Sequence, residues 1–172
     1  MKNNHTRIRK IAFLGLTTTL AILLSYVEFL LPPIFVAVPG IKVGLPNVMI
    51  LYVLYSLGVK EAAVVSFVRI CISALLFGTV MTFAYSVAGA VLSLAVMAIL
   101  KRLDKLSAVG VSVAGGVLHN LGQILVAMIL LDTPAIGYYM LVLAVTGTIS
   151  GVFVGLCGGI VIKKLPVRKV FC

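Results

Sequence analysis

The chain has 172 residues, of which 62% are apolar and only 10% charged, and it carries a formal net charge of +10. With a mean hydropathy of +1.26 it falls far from the soluble balance of about 25% charged residues, which excludes an ordinary soluble domain and indicates an integral membrane protein. The positive charge does not point to nucleic acid, because it is spaced between hydrophobic runs instead of forming a basic surface.

The first run, 11–31, follows a basic start and is stopped by Pro32 and Pro33, since two prolines cannot continue a helix. It is too long for a typical signal-peptide core and further spans follow, so it reads as a retained first helix. The next stretch is apolar but broken by Pro39, Gly40, Gly44 and Pro46. Such irregular backbone is tolerated at membrane depth only when buried in protein or lining a cavity. A short helix is expected at 46–57, with proline in its first turn. The turn "GVKE" leads to a third span at 62–77 with Arg69 near its centre, and "GT" leads to a fourth at 80–100. The fifth is placed at 108–131 and, after the break "DTP", the sixth at 136–162.

The pattern predicts an all-α polytopic protein, a single membrane domain over 1–172 with six transmembrane helices and both termini on one side. Of fourteen Lys and Arg, this arrangement leaves only Lys42 on the outer side and Arg69 within the membrane. By the positive-inside rule the other twelve mark the cytoplasmic side. No internal repeat is visible. Cys71, Cys157 and Cys172 are odd in number, two of them inside apolar runs, so no disulfide framework is expected.

Polar residues inside the spans carry the functional information. In "GGVLHNLGQ", His119 and Gln123 are four apart on one helix face, with Gly116 and Asn120 on the neighbouring one. Two readings stand: an interhelical hydrogen-bond cluster, or one wall of a polar cavity. A guanidinium in mid-span is costly, so Arg69 is expected to meet water, Glu28 or an anionic ligand. Lys42 and the helix start at Pro46–Asn47 add positive potential on the outer side. Arg69, His119, Asn120, Gln123, Lys42 and Asn47 are therefore the candidate substrate-binding residues, for a solute with an anionic group. In the first helix Gly15, Thr19, Ala21 and Ser25, with Thr17, place small residues four apart. Such spacing lets another helix approach, within this domain or from a partner. Asp132 reads as a turn residue, and Tyr138 and Tyr139 as interfacial anchors.

No P-loop, HExxH, CxxC or clustered carboxylate motif occurs, so no metal, cofactor or catalytic residue is assigned. Four scattered acidic residues do not make a magnesium–diphosphate site.

In order, "LSYVEFLLPP", "VPGIKVGLPNVMILYVLYSLG" and "GGVLHNLGQ" resemble the bacterial membrane proteins called heptaprenyl diphosphate synthase component I, or the Gx transporter family. Those proteins are in turn similar to the substrate-binding S components of energy-coupling-factor (ECF) transporters. The resemblance implies an S-component-like six-helix bundle that binds a small solute on its outer side under the loop containing Lys42. It further implies a membrane coupling subunit with ATPases, docked on the first helix. The alternative it carries is an accessory role beside a prenyl synthase catalytic subunit in isoprenoid or menaquinone synthesis.

Overall fold

The computed structural model describes residues 2–30 and 44–166. Its regular elements are α1 (Lys2–Leu30), α2 (Asn47–Ser56), α3 (Val59–Phe77), α4 (Val80–Leu103), α5 (Ala108–Leu130), a 3-10 turn (Pro134–Tyr139) and α6 (Met140–Lys164). All are helical.

The helix boundaries follow the sequence signals and extend past some of them. α1 begins at Lys2, well before the apolar run, because nothing in the basic leading segment breaks a helix; apolarity marks the part suited to lipid, not the helix end. Gly58, at φ 123°, makes the turn from α2 to α3, a conformation that any residue with a Cβ resists. At the start of α4 the Thr79 and Thr82 side chains exchange bonds with each other's backbone N–H, at 3.2 and 2.7 Å, forming a capping box. Ser107 caps α5 by accepting from the Gly110 N–H. Asp104 and Asp132 adopt left-handed conformations just after α4 and α5.

Four helical segments are long and apolar enough to cross a membrane: His5–Leu30, Val80–Leu103, Ala108–Leu130 and Gly137–Lys164. Of the six expected spans, these four meet that measure among the described residues, and α2 and α3 do not. α3 carries Lys60, Glu61 and Arg69 in 19 residues, and α2, with 10 residues, is roughly 15 Å long, about half the hydrocarbon thickness.

α2 occupies the centre. Met49, Ile50, Leu51, Tyr52, Val53 and Leu54 are all buried, so the short helix is covered on every side, as an apolar helix without a polar face must be. α4, α5 and α6 form the most tightly packed group, and glycines allow it. A Cβ on Gly116 of α5 would lie 2.5 Å from the Gly147 carbonyl oxygen of α6, and one on Gly122 would lie 2.8 Å from the Ala88 carbonyl oxygen of α4. The glycines of "GGVLHNLGQ" thus serve helix contact.

The basic ends of the helices converge. Lys10 of α1 pairs with Glu61 of α3 at 2.5 Å. Lys101 of α4 donates to the Leu54 carbonyl at the end of α2, at 2.5 Å, and lies 5.1 Å from the centre of the Tyr55 ring. The Tyr52 hydroxyl donates to the Leu165 carbonyl at 3.1 Å. A cation at the C-terminus of a half-length buried helix satisfies carbonyls that water reaches poorly.

The small residues of α1 do not form one outward face. Ala21 and Ser25 are buried, at 0% and 7% exposure, inside this chain's own packing, together with Thr17. Of the two readings of this spacing, packing within the domain describes Ala21 and Ser25. Thr19 faces out, and a Cβ on Gly15 would have nothing within 4 Å.

Candidate functional site

A cavity of about 340 Å³ lies in the half of the bundle away from the converging basic ends. Its walls come from all six helices, and it gathers Asn47, Arg69, His119, Asn120 and Gln123, residues far apart in sequence. Lys42, the remaining residue singled out from the sequence, lies outside the described residues. Glu28 and Ser25 of α1 also line the cavity.

Arg69 enters the cavity from α3, half-buried, and its Nε is buried without a hydrogen-bond partner among the described residues. One turn further along the same helix, the Ser73 hydroxyl is likewise buried and unpartnered on the same cavity. The i, i+4 spacing puts the two on one wall. Buried polar atoms are almost always bonded, and these two share one cavity wall without a partner among the described residues.

Glu28 is not joined to Arg69 by an ion pair; among the described residues the ion pair present is Lys10–Glu61. The Glu28 carboxylate accepts instead from the Gly44 N–H, tying α1 to the chain just before α2. It still exerts a Coulombic attraction on Arg69 across the cavity.

On the opposite wall, His119 and Gln123 meet through Nε2 and Nε2 at 3.3 Å. Asn120 donates its amide to the Leu143 carbonyl of α6 at 2.7 Å, which commits its donor to helix packing and leaves its oxygen with the cavity. Both readings of the polar cluster therefore apply: Asn120 bridges helices, and His119 with Gln123 forms a wall. The first amides of α2 are less available than its sequence suggests. Asn47, Val48 and Met49 already donate to the carbonyls of Gly44, Leu45 and Pro46 at 2.9 to 3.1 Å, so Asn47 contributes chiefly a side chain.

Sequence reasoning did not single out Ser73, Ser86 or Ser150, nor Phe29, Phe77 and Phe83, all of which line the cavity. Ser73 was within reach, because it lies one helical turn from Arg69. The rest are placed by helix packing, which no local spacing encodes. A second, much smaller cavity of about 20 Å³, with room for about one water, adjoins Asn47, Ser93, Ser112 and Ser150.

A family model described as heptaprenyl diphosphate synthase component I matches residues 17–161. No curated protein and no solved structure matches the chain significantly.

Proposed function

The chain belongs to the heptaprenyl diphosphate synthase component I family, and from that premise we propose that it is a non-catalytic membrane subunit whose cavity binds a small ligand bearing an anionic group. The observation that carries this reading is the pair Arg69 Nε and Ser73 Oγ, one helical turn apart on the cavity wall and without hydrogen-bond partners among the described residues. A guanidinium with a free N–H binds an anion strongly in a poorly hydrated site. His119, Gln123 and Asn47 add polar contacts around it.

The four carboxylates support a non-catalytic role by where they sit. Glu28 is in the cavity, Glu61 is held by Lys10, Asp104 ends α4 and Asp132 lies in the turn after α5. A diphosphate handled through magnesium needs carboxylates gathered on one site. The chemistry then belongs to another chain, and the family description favours a prenyl synthase catalytic subunit as that partner.

In the proposed topology the chain crosses the membrane six times and both termini are cytoplasmic. Convergence of Lys10, Lys101 and the end of α6 at one end of the bundle supports it. One observation favours a second reading, an S-component-like subunit for solute uptake: the cavity lies at the end opposite these basic residues, which is the outer end in this orientation. A coupling subunit with ATPases would then be the partner.

Ligand and partner are tested together. Small molecules released from the purified wild-type protein and from Arg69→Gln are compared by mass spectrometry, and co-purification is measured after co-expression with a prenyl synthase catalytic subunit or with a coupling subunit. An anionic compound present in wild type and absent in Arg69→Gln is the expected result. Identical contents would overturn the binding role, and the subunit retained decides between the two partners.

A further inference from the structure

The cavity is polar in depth and aromatic at its rim. Phe77 is the last residue of α3 and Phe29 the penultimate residue of α1, and their rings meet at 5.0 Å between centroids and 31° between planes. Phe83, in the first turn of α4, completes the aromatic part of the lining. Arg69 lies eight residues before Phe77 on α3, which at about 1.5 Å per residue sets the guanidinium's helical position roughly 12 Å deeper than the rim. Rings that served only as lipid-facing bulk would have no reason to line the same cavity as an arginine whose Nε is buried.

Resting on the reading of the cavity as an anion-binding site, we propose that its ligand is amphipathic: a compact anionic group against Arg69 and Ser73, joined to a flat or chain-like apolar body against Phe29, Phe77 and Phe83. A volume of about 340 Å³ is at the small end of ligand sites, which run from about 300 to 1,000 Å³. It takes a single ring or a short chain beside the anion, and a polyisoprenoid chain does not fit inside it. The apolar body has two sources, a soluble aromatic acid or the first part of a lipid tail, and the same polar floor and aromatic rim serve either.

The test measures binding of three probes to the full chain in nanodiscs: inorganic phosphate, phenyl phosphate and octyl phosphate. Phenyl or octyl phosphate is expected to bind about tenfold more tightly than inorganic phosphate, the value of one well-packed aromatic contact. Phe83→Ala should remove that increment while leaving inorganic phosphate binding unchanged. Phe77→Leu, which keeps an apolar side chain beside Phe29, should reduce it in part. A stronger phenyl probe identifies a soluble aromatic acid, and a stronger octyl probe a lipid-like ligand. Equal affinity for all three, lost in Arg69→Gln, would overturn the amphipathic ligand and leave the anion site standing. Absence of binding, or binding indifferent to Arg69→Gln, would overturn both.

Discussion

Gly89 of α4 lies directly beneath His119 of α5. A Cβ at Gly89 would sit 2.7 Å from the His119 carbonyl oxygen and 3.1 Å from its ring carbon Cε1, with Gln123 Cγ at 3.0 Å. The absence of a side chain at one position on α4 therefore sets where two wall residues of the cavity stand. Gly89→Ala should force α4 and α5 apart and cost about 1–3 kcal/mol, the range for overpacking a close contact. Gly15→Ala meets nothing within 4 Å and should be neutral or stabilising by up to about 1 kcal/mol, since alanine is the better helix former. Thermal unfolding in one detergent ranks the two. Comparable losses would mean that the α4–α5 approach is looser than described.

The ion pair at the basic end makes a pH prediction. Lys10 holds the Glu61 carboxyl below its ordinary value of 4.5, with burial opposing and Lys60 assisting. Glu61 lies before the apolar part of α3, at the water boundary. A carboxylate with a depressed folded pKa contributes stability that is fully present above the unfolded pKa and lost as pH falls through the lower, folded one. Lys10 is 41% exposed, so screening limits the pair to about 0.2–1 kcal/mol. Glu61→Gln should lower the unfolding temperature slightly at pH 7, and the gap to wild type should close below the ordinary carboxylate range. A gap that persists in acid would assign the loss to something other than the pair.

Lys101 acts on a more buried target. Its ammonium donates to the Leu54 carbonyl and covers the Tyr55 ring, closing the end of a helix too short to reach water at both ends. Lys101→Met keeps the aliphatic stem and removes the donor, so the loss should be about 1.5–3 kcal/mol, the worth of a hydrogen bond to a charged group. Hydrogen exchange should rise first at the amides of α2. A uniform rise across all helices would argue against a local cap.

Much of this is legible in the sequence. Prolines, glycines and charge spacing locate the helix breaks, and the ends of α5 fall within a residue of their expected places because Ser107 and the "DTP" turn are strong local signals. The start of α1 was not legible, because hydropathy reports suitability for lipid and not helicity. Membership of Arg69, His119 and Gln123 in one cavity follows from the cost of polar groups in mid-span, which leaves them few places to go, whereas Asn47 is singled out by the helix start, whose amides are already bonded. The inward turn of Ala21 and Ser25 was hidden, since small-residue spacing serves internal and external contacts alike. Glu28 was legible as a neighbour of Arg69 but not as a partner of Gly44, a contact made by chain geometry just before α2.

Topology has a direct test in cysteine labelling on a background lacking the native cysteines. Positions 3 and 104, in the basic leading segment and after α4, should label only from the cytoplasmic side. Tyr138, 88% exposed in the turn before α6, should label from outside once replaced by cysteine. Outside labelling at 3 or 104 would reverse the orientation and place the cavity on the cytoplasmic face.

The role of Arg69 separates from that of a structural ion pair in one mutant cycle. Breaking a buried salt bridge by removing one partner costs about 3–5 kcal/mol, because the other charge is stranded. Arg69 makes no such bridge with Glu28, whose carboxylate accepts from the Gly44 N–H. Arg69→Gln should therefore cost little stability, or even gain some by removing a desolvated charge, while weakening inorganic phosphate binding about tenfold or more, as expected for loss of a charge-assisted contact. Glu28→Gln keeps an oxygen that accepts from Gly44 and removes a negative charge from the cavity, so an anion should bind more tightly to it than to wild type. The double change Glu28→Gln/Arg69→Gln should bind more weakly than Glu28→Gln and no more weakly than Arg69→Gln. Melting temperature and phosphate affinity are measured for all four proteins. A large destabilisation in Arg69→Gln that the double change restores would establish the ion pair and remove the anion site from this cavity.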